Sequence, residues 1–223
     1  MRFTNLFAAA TAALAILGAA SAAEASVTLS NTPNGASIGS FGNPDSQTYG
    51  QVFTAPITGK LTSFTLNLNG GVGSLYGGVG EWNGGSSYTT GAGVSNTLYQ
   101  SAAVASNGAS AYTFNTDISV VAGQLYVAYL SVFGLANQPP LTAFMPLAHD
   151  TAGINYFVWA NSMSPTSSSW NYHFDGGDAQ FTAIFAEAGA VPEPATWAMM
   201  LIGFLGLGSV LRHERSRVRV AVA

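Results

Sequence analysis

Two aspartates bracket a glycine pair at Asp175-Gly176-Gly177-Asp178. Carboxylates around such a turn can supply oxygen ligands to Ca²⁺, with loop carbonyls completing a shell of six to eight. Asp175 and Asp178 are therefore the candidate metal ligands, and a structural Ca²⁺ is the only cofactor the sequence suggests. The same four residues also fit a solvated turn. A glycosidase needs two carboxyl groups across a cleft. Glu81, Asp117, Asp150, Asp175 and Asp178 are available, but none lies in a recognisable motif. His149-Asp150 and His173 have the residue types of a hydrolytic triad, yet no helix is expected after any serine, as a nucleophile elbow requires. The chain has no cysteine, hence no thiol nucleophile and no disulfide framework. The expectation is a protein without catalytic function; a secreted polysaccharide hydrolase is the alternative.

Aromatic residues offer a different chemistry. Trp82, Tyr88, Trp159, Trp170 and Tyr172 lie in or beside stretches rich in Gly, Ser and Asn. Flat rings flanked by neutral hydrogen-bonding groups suit carbohydrate, whose C–H faces stack and whose hydroxyls need donors and acceptors. Trp170 and Tyr172 are the first choices for such contacts, with Trp82 and Tyr88 beside them. Core packing is the competing role, above all for Trp82 and Trp159 at strand ends. Charge narrows the partners. Only 7% of residues are charged, and Lys60 is the one Lys or Arg between Arg2 and Arg212. No basic patch can be built from that, so nucleic acid is excluded as a partner.

The elements that must hold these residues read as strands and turns. In Thr62 to Asn69, Phe64, Leu66 and Leu68 share one face while Thr65, Asn67 and Asn69 share the other, a half-buried strand. Ser74 to Trp82 reads as a strand interrupted by glycines, which imply bulges or close backbone approach. Gly50 to Thr54, Asn96 to Ser101, Ala111 to Ile118, Asn155 to Ala160 and Gln180 to Ala186 are further strands. Tyr112, Phe114, Phe181, Ala183 and Phe185 are expected to point inward. Leu125 to Phe133 is apolar on both faces and should be a central strand covered on both sides. Asn83 to Asn96 and Ser162 to Asp178 read as loops. Around nine short strands with regular turns predict an all-β fold, a β-sandwich of jelly-roll-like form. The run Tyr49 to Pro56, followed by Leu61 to Phe64, resembles the openings of secreted bacterial jelly-roll and galactose-binding-like domains. That likeness bears on fold and not on function.

Both ends carry addresses. Met1-Arg2, the apolar run Leu6 to Ala20 and the small residues up to Ala25 form a secretory signal peptide. At the other end, Ala195 to Leu211 is free of charge. As a helix it would cover ~26 Å, just short of a bilayer core of roughly 30 Å. Pro194 suits the first helical position, and Glu193 the positive end of the helix dipole. Arg212, Arg215, Arg217 and Arg219 follow, which keeps the C-terminus in the cytoplasm.

Pro192-Glu193-Pro194, Trp197-Ala198, Met199-Met200-Leu201, Gly203-Phe204 and the basic end at Arg212 and Arg215 together resemble the PEP-CTERM sorting signal of Gram-negative bacteria, in its Pro-Glu-Pro-x-x-Trp-Ala variant. The resemblance implies recognition and removal of the segment by an exosortase, a membrane cysteine protease. It also implies a setting among exopolysaccharide. Glu214 and the mostly apolar Val218 to Ala223 depart from the pattern. The expected organisation is a signal peptide over 1–25, a sandwich over 26–186, a linker over 187–191 and a sorting segment over 192–219. Within the last, 195–211 is the transmembrane helix and 212–219 the basic end. The protein is expected to leave through the Sec translocon, to be held transiently in the inner membrane and to finish at the cell surface or outside. There it would bind or be part of exopolysaccharide; a plain membrane-anchored protein without glycan binding is the further alternative. A reporter enzyme fused after Ala223 should therefore read as cytoplasmic in whole cells, and one fused at Ala190 as periplasmic.

Overall fold

Alternation of apolar and polar residues, with glycine at the crowded crossings, builds the body from strands. A computed structural model of the chain describes residues 25–87, 89–161, 164–166, 170–172, 177–187, 200–201 and 203–207. The chain divides into two units, Met1–Ala188 and Gly189–Ala223. Among the described residues of the first unit, the strands are β1 Ser26–Ser30, β2 Pro33–Gly42, β3 Thr48–Thr54, β4 Gly59–Leu68, β5 Gly71–Trp82, β6 Val94–Gln100 and β7 Val104–Asn107. They continue as β8 Ser110–Val120, β9 Leu125–Ser131, β10 Thr142–Ala148, β11 Ile154–Ala160, β12 Asn171–Tyr172, β13 Asp178–Ala179 and β14 Phe181–Glu187.

The fold is an all-β sandwich. One layer is the sheet β12-β11-β3-β9-β5-β6, with β7 paired to the start of β5. The other is β1-β14-β4-β8, which the bridge Asn69↔Phe144 links to the short sheet β13-β10-β2. The chain passes from β3 to β4 and back to β5, and again from β8 to β9, changing layer each time. Such alternation is the connectivity of jelly-roll-like sandwiches.

Between the layers lies the main core. From β4 come Leu61, Phe64, Leu66 and Leu68; from β14, Phe181, Ala183 and Phe185; from β8, Tyr112 and Phe114. Apart from Leu61, which a register shift between it and Ser63 brings inside, each set sits on the face the sequence pattern predicts. Phe53 packs against Tyr126, Phe181 and Phe185 at centroid distances of 5.3 to 6.1 Å. Strand β9 is covered on both faces: Tyr126, Ala128 and Leu130 enter this core, while Val127 and Tyr129 enter a second one behind the large sheet. On the outer face of β4, Lys60 lies 3.9 Å from Asp117 of β8.

Six strands escaped the sequence pattern: β1, β2, β7, β10, β12 and β13. β2 carries Pro33, Asn34 and three glycines, which read as turn by composition, and its ladder with β10 shifts register twice. Pro146 sits inside β10 beside one of those shifts, where a strand tolerates a residue that cannot donate to the ladder. β12 and β13 are two residues each, too short for any periodicity.

The signal peptide lies outside the described residues. In the second unit, residues 200–201 and 203–207 are helical, and Met200, Leu201, Phe204, Leu205 and Leu207 are exposed. Among the described residues no helix is long and apolar enough to cross a membrane. The remainder of 195–211, to which the sequence assigns a transmembrane helix, lies outside them.

Leu130 is fully buried between the layers. Leu130→Asp places a charge there without a partner, which costs several kcal/mol. The expected outcome is loss of the cooperative melting transition followed by far-ultraviolet circular dichroism. A variant that melts with the wild type would contradict the double cover of β9.

Candidate functional site

Glycines make room for the aromatic residues behind the large sheet. Tyr76, Gly78, Gly80 and Trp82 alternate on the outer face of β5. A Cβ at Gly78 would collide with the Tyr129 ring, and one at Gly80 with Val94. In β3, a Cβ at Gly50 would lie 2.9 Å from Val127 and 3.2 Å from Trp170. On this floor rests a second core of Val52, Val127, Tyr129, Val158, Trp82 and Trp170. The close approach expected of the β5 glycines is found here.

Trp170 does not offer its face to solvent. It is 1% exposed and packs edge-on against Trp82 at 5.8 Å and Tyr129 at 6.0 Å. Its backbone N–H donates to Ala92 O at 3.1 Å and its indole N–H to Pro165 O at 3.0 Å. Trp82 is buried too, and its indole N–H donates to the Tyr156 hydroxyl at 2.7 Å, which in turn donates to Gly85 O at 2.9 Å. These bonds tie the loop after β5 and the segment before β12 down onto the sheet. The expectation that Trp170 is an exposed glycan-stacking ring is corrected accordingly: burial of a large ring with its N–H satisfied outweighs the polar composition of its neighbours. Tyr172 is half-buried and meets Tyr156 edge-on at 6.3 Å. Tyr88 lies outside the described residues.

The acidic candidates are dispersed. Asp178 opens β13 and is 1% exposed. Gln51 of β3 reaches it across the layers: Gln51 Nε2 donates to Asp178 Oδ1 at 2.8 Å, and Gln51 Oε1 accepts from Ala179 N at 2.6 Å. Asp178 Oδ2 is buried and has no hydrogen-bond partner among the described residues. Burial pushes the carboxyl up to about 7. The Gln51 bond opposes that rise, the negative Asp150 adds to it, and the Thr151 backbone lowers it slightly. Asp175 and His173 lie outside the described residues. Among the described residues no three His, Asp or Glu converge to hold a metal. Glu81 and Asp117 lie on β5 and β8, and Asp150 follows β10. Gly35-Ala36-Ser37-Ile38-Gly39 spells a Gly-x-Ser-x-Gly string. It lies within strand β2, with Ser37 exposed and opposite Pro146, not at a strand-to-helix turn.

Concave surface occurs on either side of the segment 132–138. On one side is a cavity of about 390 Å³, walled by Tyr76, Tyr129 and Phe133 and edged by Gln100, Ser101 and Thr166. Across the segment lies a second of about 260 Å³, edged by Asn43, Gln47, Asn137 and Gln138. Gly134 and Leu135 line both. Burial raises the phenol pKa of Tyr76 and Tyr129, so both stay protonated at neutral pH. No sequence signal pointed to these residues. They come from five separate stretches, and isolated amides and hydroxyls carry no spacing.

Residues 190–216 match the PEP-CTERM protein-sorting motif. No curated protein matches the chain. Among solved structures, the chain is similar to the cysteine protease and lectin-like domains of Cwp84, a surface layer associated protein of Clostridium difficile. The identity is 13% and the TM-score 0.44, over 65% of this chain and 33% of that one. The chain thus spans about a third of that structure's length.

Asp178 generates a pH prediction. Its carboxyl titrates near 7 when folded and at the ordinary aspartate value, about 3.9, when unfolded. Between those values the folded state keeps a proton that the unfolded state has released, so stability falls as pH rises through the window and levels off above it. Melting temperature should be higher at pH 5 than at pH 8. Asp178→Asn keeps an oxygen for Gln51 and carries no charge; in the presence of a chelator it should flatten the profile and raise the melting temperature at pH 8.

Proposed function

We propose that this is an exported surface protein, sorted by an exosortase-type protease, whose sandwich binds or forms part of exopolysaccharide without catalysing a reaction. The observation that carries the reading is the sorting motif at 190–216, which implies export, a transient membrane anchor and cleavage. The leader at Met1 to Ala25 fits the same route through the Sec translocon. Pro192, Glu193, Pro194, Trp197 and Ala198 are the recognition residues in this reading, and Arg212 and Arg215 hold the tail in the cytoplasm.

Body chemistry supports the second half. Lys60 is the one Lys or Arg of the sandwich and it faces Asp117, so contacts with a polymer fall to neutral groups. A structural Ca²⁺ at Asp178 with Asp175 belongs to the reading. The buried Oδ2 of Asp178 supports it: that atom has no hydrogen-bond partner among the described residues, and a cation would satisfy it.

Replacing Pro192, Glu193 and Pro194 together by Ala should leave the precursor in the inner membrane, while wild-type protein is released without its tail. Intact-mass measurement of the protein from membranes and from medium decides this. A released wild-type protein that still contains Ala195 to Ala223 would leave a plain anchor as the better reading.

A further inference from the structure

The two cavities beside residues 132–138 share a wall. Gly134 and Leu135 line both, so the surface forms one trough with a low ridge across it. Glycine at the crest adds no side chain, and its φ of 74° turns the chain sharply there. The ridge is fixed from below. Val132 N donates to Gln47 O at 2.9 Å, Leu135 N to Val132 O at 3.2 Å, and Ser74 N to Gln138 Oε1 at 3.2 Å. Asn137 holds a φ of 56°, a left-handed conformation that asparagine adopts more readily than most residues. A trough set in this way binds with little ordering cost.

Its described lining is neutral. Tyr76, Tyr129, Gln100 and Ser101 serve one side, and Asn43 and Gln47 the other; among the described residues no Asp, Glu, Lys, Arg or His lines either cavity. The side-chain amides of Gln100, Asn43, Gln47 and Asn137 form no hydrogen bond within the described residues. Each amide carries both a donor pair and an acceptor, as a sugar hydroxyl requires. Of the rings, Phe133 is the least buried and presents an apolar wall for C–H groups. The larger cavity falls within the roughly 300–1,000 Å³ of small-molecule sites, and the smaller just below it.

We propose that the two cavities are adjoining subsites of one groove that binds a linear, uncharged polysaccharide across the Gly134–Leu135 ridge. The proposal rests on the surface-polysaccharide reading above and gives it a place and a ligand class. An acidic polymer would bring charges to a groove whose described lining offers no cation to meet them, so a neutral polymer suits it better. Two shallow subsites on one chain bind a polymer more tightly than a fragment that fills only one of them, because the second contact is intramolecular.

The test uses the full chain in detergent and affinity electrophoresis through gels containing dextran, galactomannan, polygalacturonate or the producing strain's own exopolysaccharide. Retardation by at least one neutral polymer, unchanged between low and high salt, is the expected result. Gln100→Ala on one side and Gln47→Ala on the other should each weaken it by about three- to tenfold, as for a lost hydrogen bond. Neither should move the melting temperature, since neither amide is used by the fold. If a polymer retards the protein but both variants behave as wild type, the groove assignment is overturned while the surface-glycan reading stands. Retardation only by polygalacturonate, abolished by salt, overturns the neutral ligand class. Binding of an unstructured neutral peptide in place of every polymer overturns the proposal in favour of a protein partner. If no gel retards the chain, the reading and the groove fall together.

Discussion

Strand β9 has no face for water, and the architecture is arranged around that fact. Tyr126, Ala128 and Leu130 must be covered by one layer, and Val127 and Tyr129 by another. The first cover is the sheet β1-β14-β4-β8, which brings Leu66, Phe181 and Phe185 opposite β9. The second is not a sheet. Trp82 at the end of β5 and Trp170 just before β12 supply it, fastened through indole N–H bonds to Tyr156 and Pro165. A two-layer sandwich thereby gains a partial third layer at the cost of two of its three tryptophans.

That arrangement depends on what is missing from neighbouring strands. Gly50, Gly78 and Gly80 are placed where any side chain would strike Val127, Tyr129 or Val94. Glycine weakens a strand through entropy and lost packing. Here the loss is offset by rings that lie directly on the backbone, and the trough beside Gly134 opens where that ring layer ends. Tyr76 and Tyr129 belong to both, half of the second core and half of the cavity wall. The position of the groove is in this sense a by-product of how β9 is covered.

Much of the sandwich was legible because burial writes itself as period-two alternation. Phe64, Leu66 and Leu68 on β4 and Phe181, Ala183 and Phe185 on β14 could be placed inside from spacing alone. So could the double cover of Leu125 to Leu130. β2 and β10 could not, since Pro33, Gly35 and Pro146 speak of turns while long-range pairing overrides them. The aromatic residues misled for a related reason. Polar neighbours around Trp170 describe the loop that carries it, not the floor of glycines it falls onto, and that floor lies far away in sequence. Its trace was present in Tyr76-x-Gly78-x-Gly80-x-Trp82, where vacant alternate positions imply something large above. Asp178 was legible as a carboxylate at a turn, but its burial under Gln51 required the tertiary fold. The amides around Gly134 left no trace at all, because hydrogen-bonding groups gathered from separate loops have no common period.

The lone lysine of the sandwich has a consequence for proteolysis. Trypsin-like proteases cut after Lys or Arg, and between Arg2 and Arg212 only Lys60 qualifies. Lys60 lies in β4, hydrogen-bonded into a ladder on both sides, opposite Ala186 of β14 and Ser119 of β8. A protease would have to draw an interior strand out of the sheet before the bond after Lys60 could enter its cleft, an opening close to global unfolding. The folded body thus presents no susceptible bond to that whole class of enzyme, while the arginines that would attract it are gathered in the segment marked for removal.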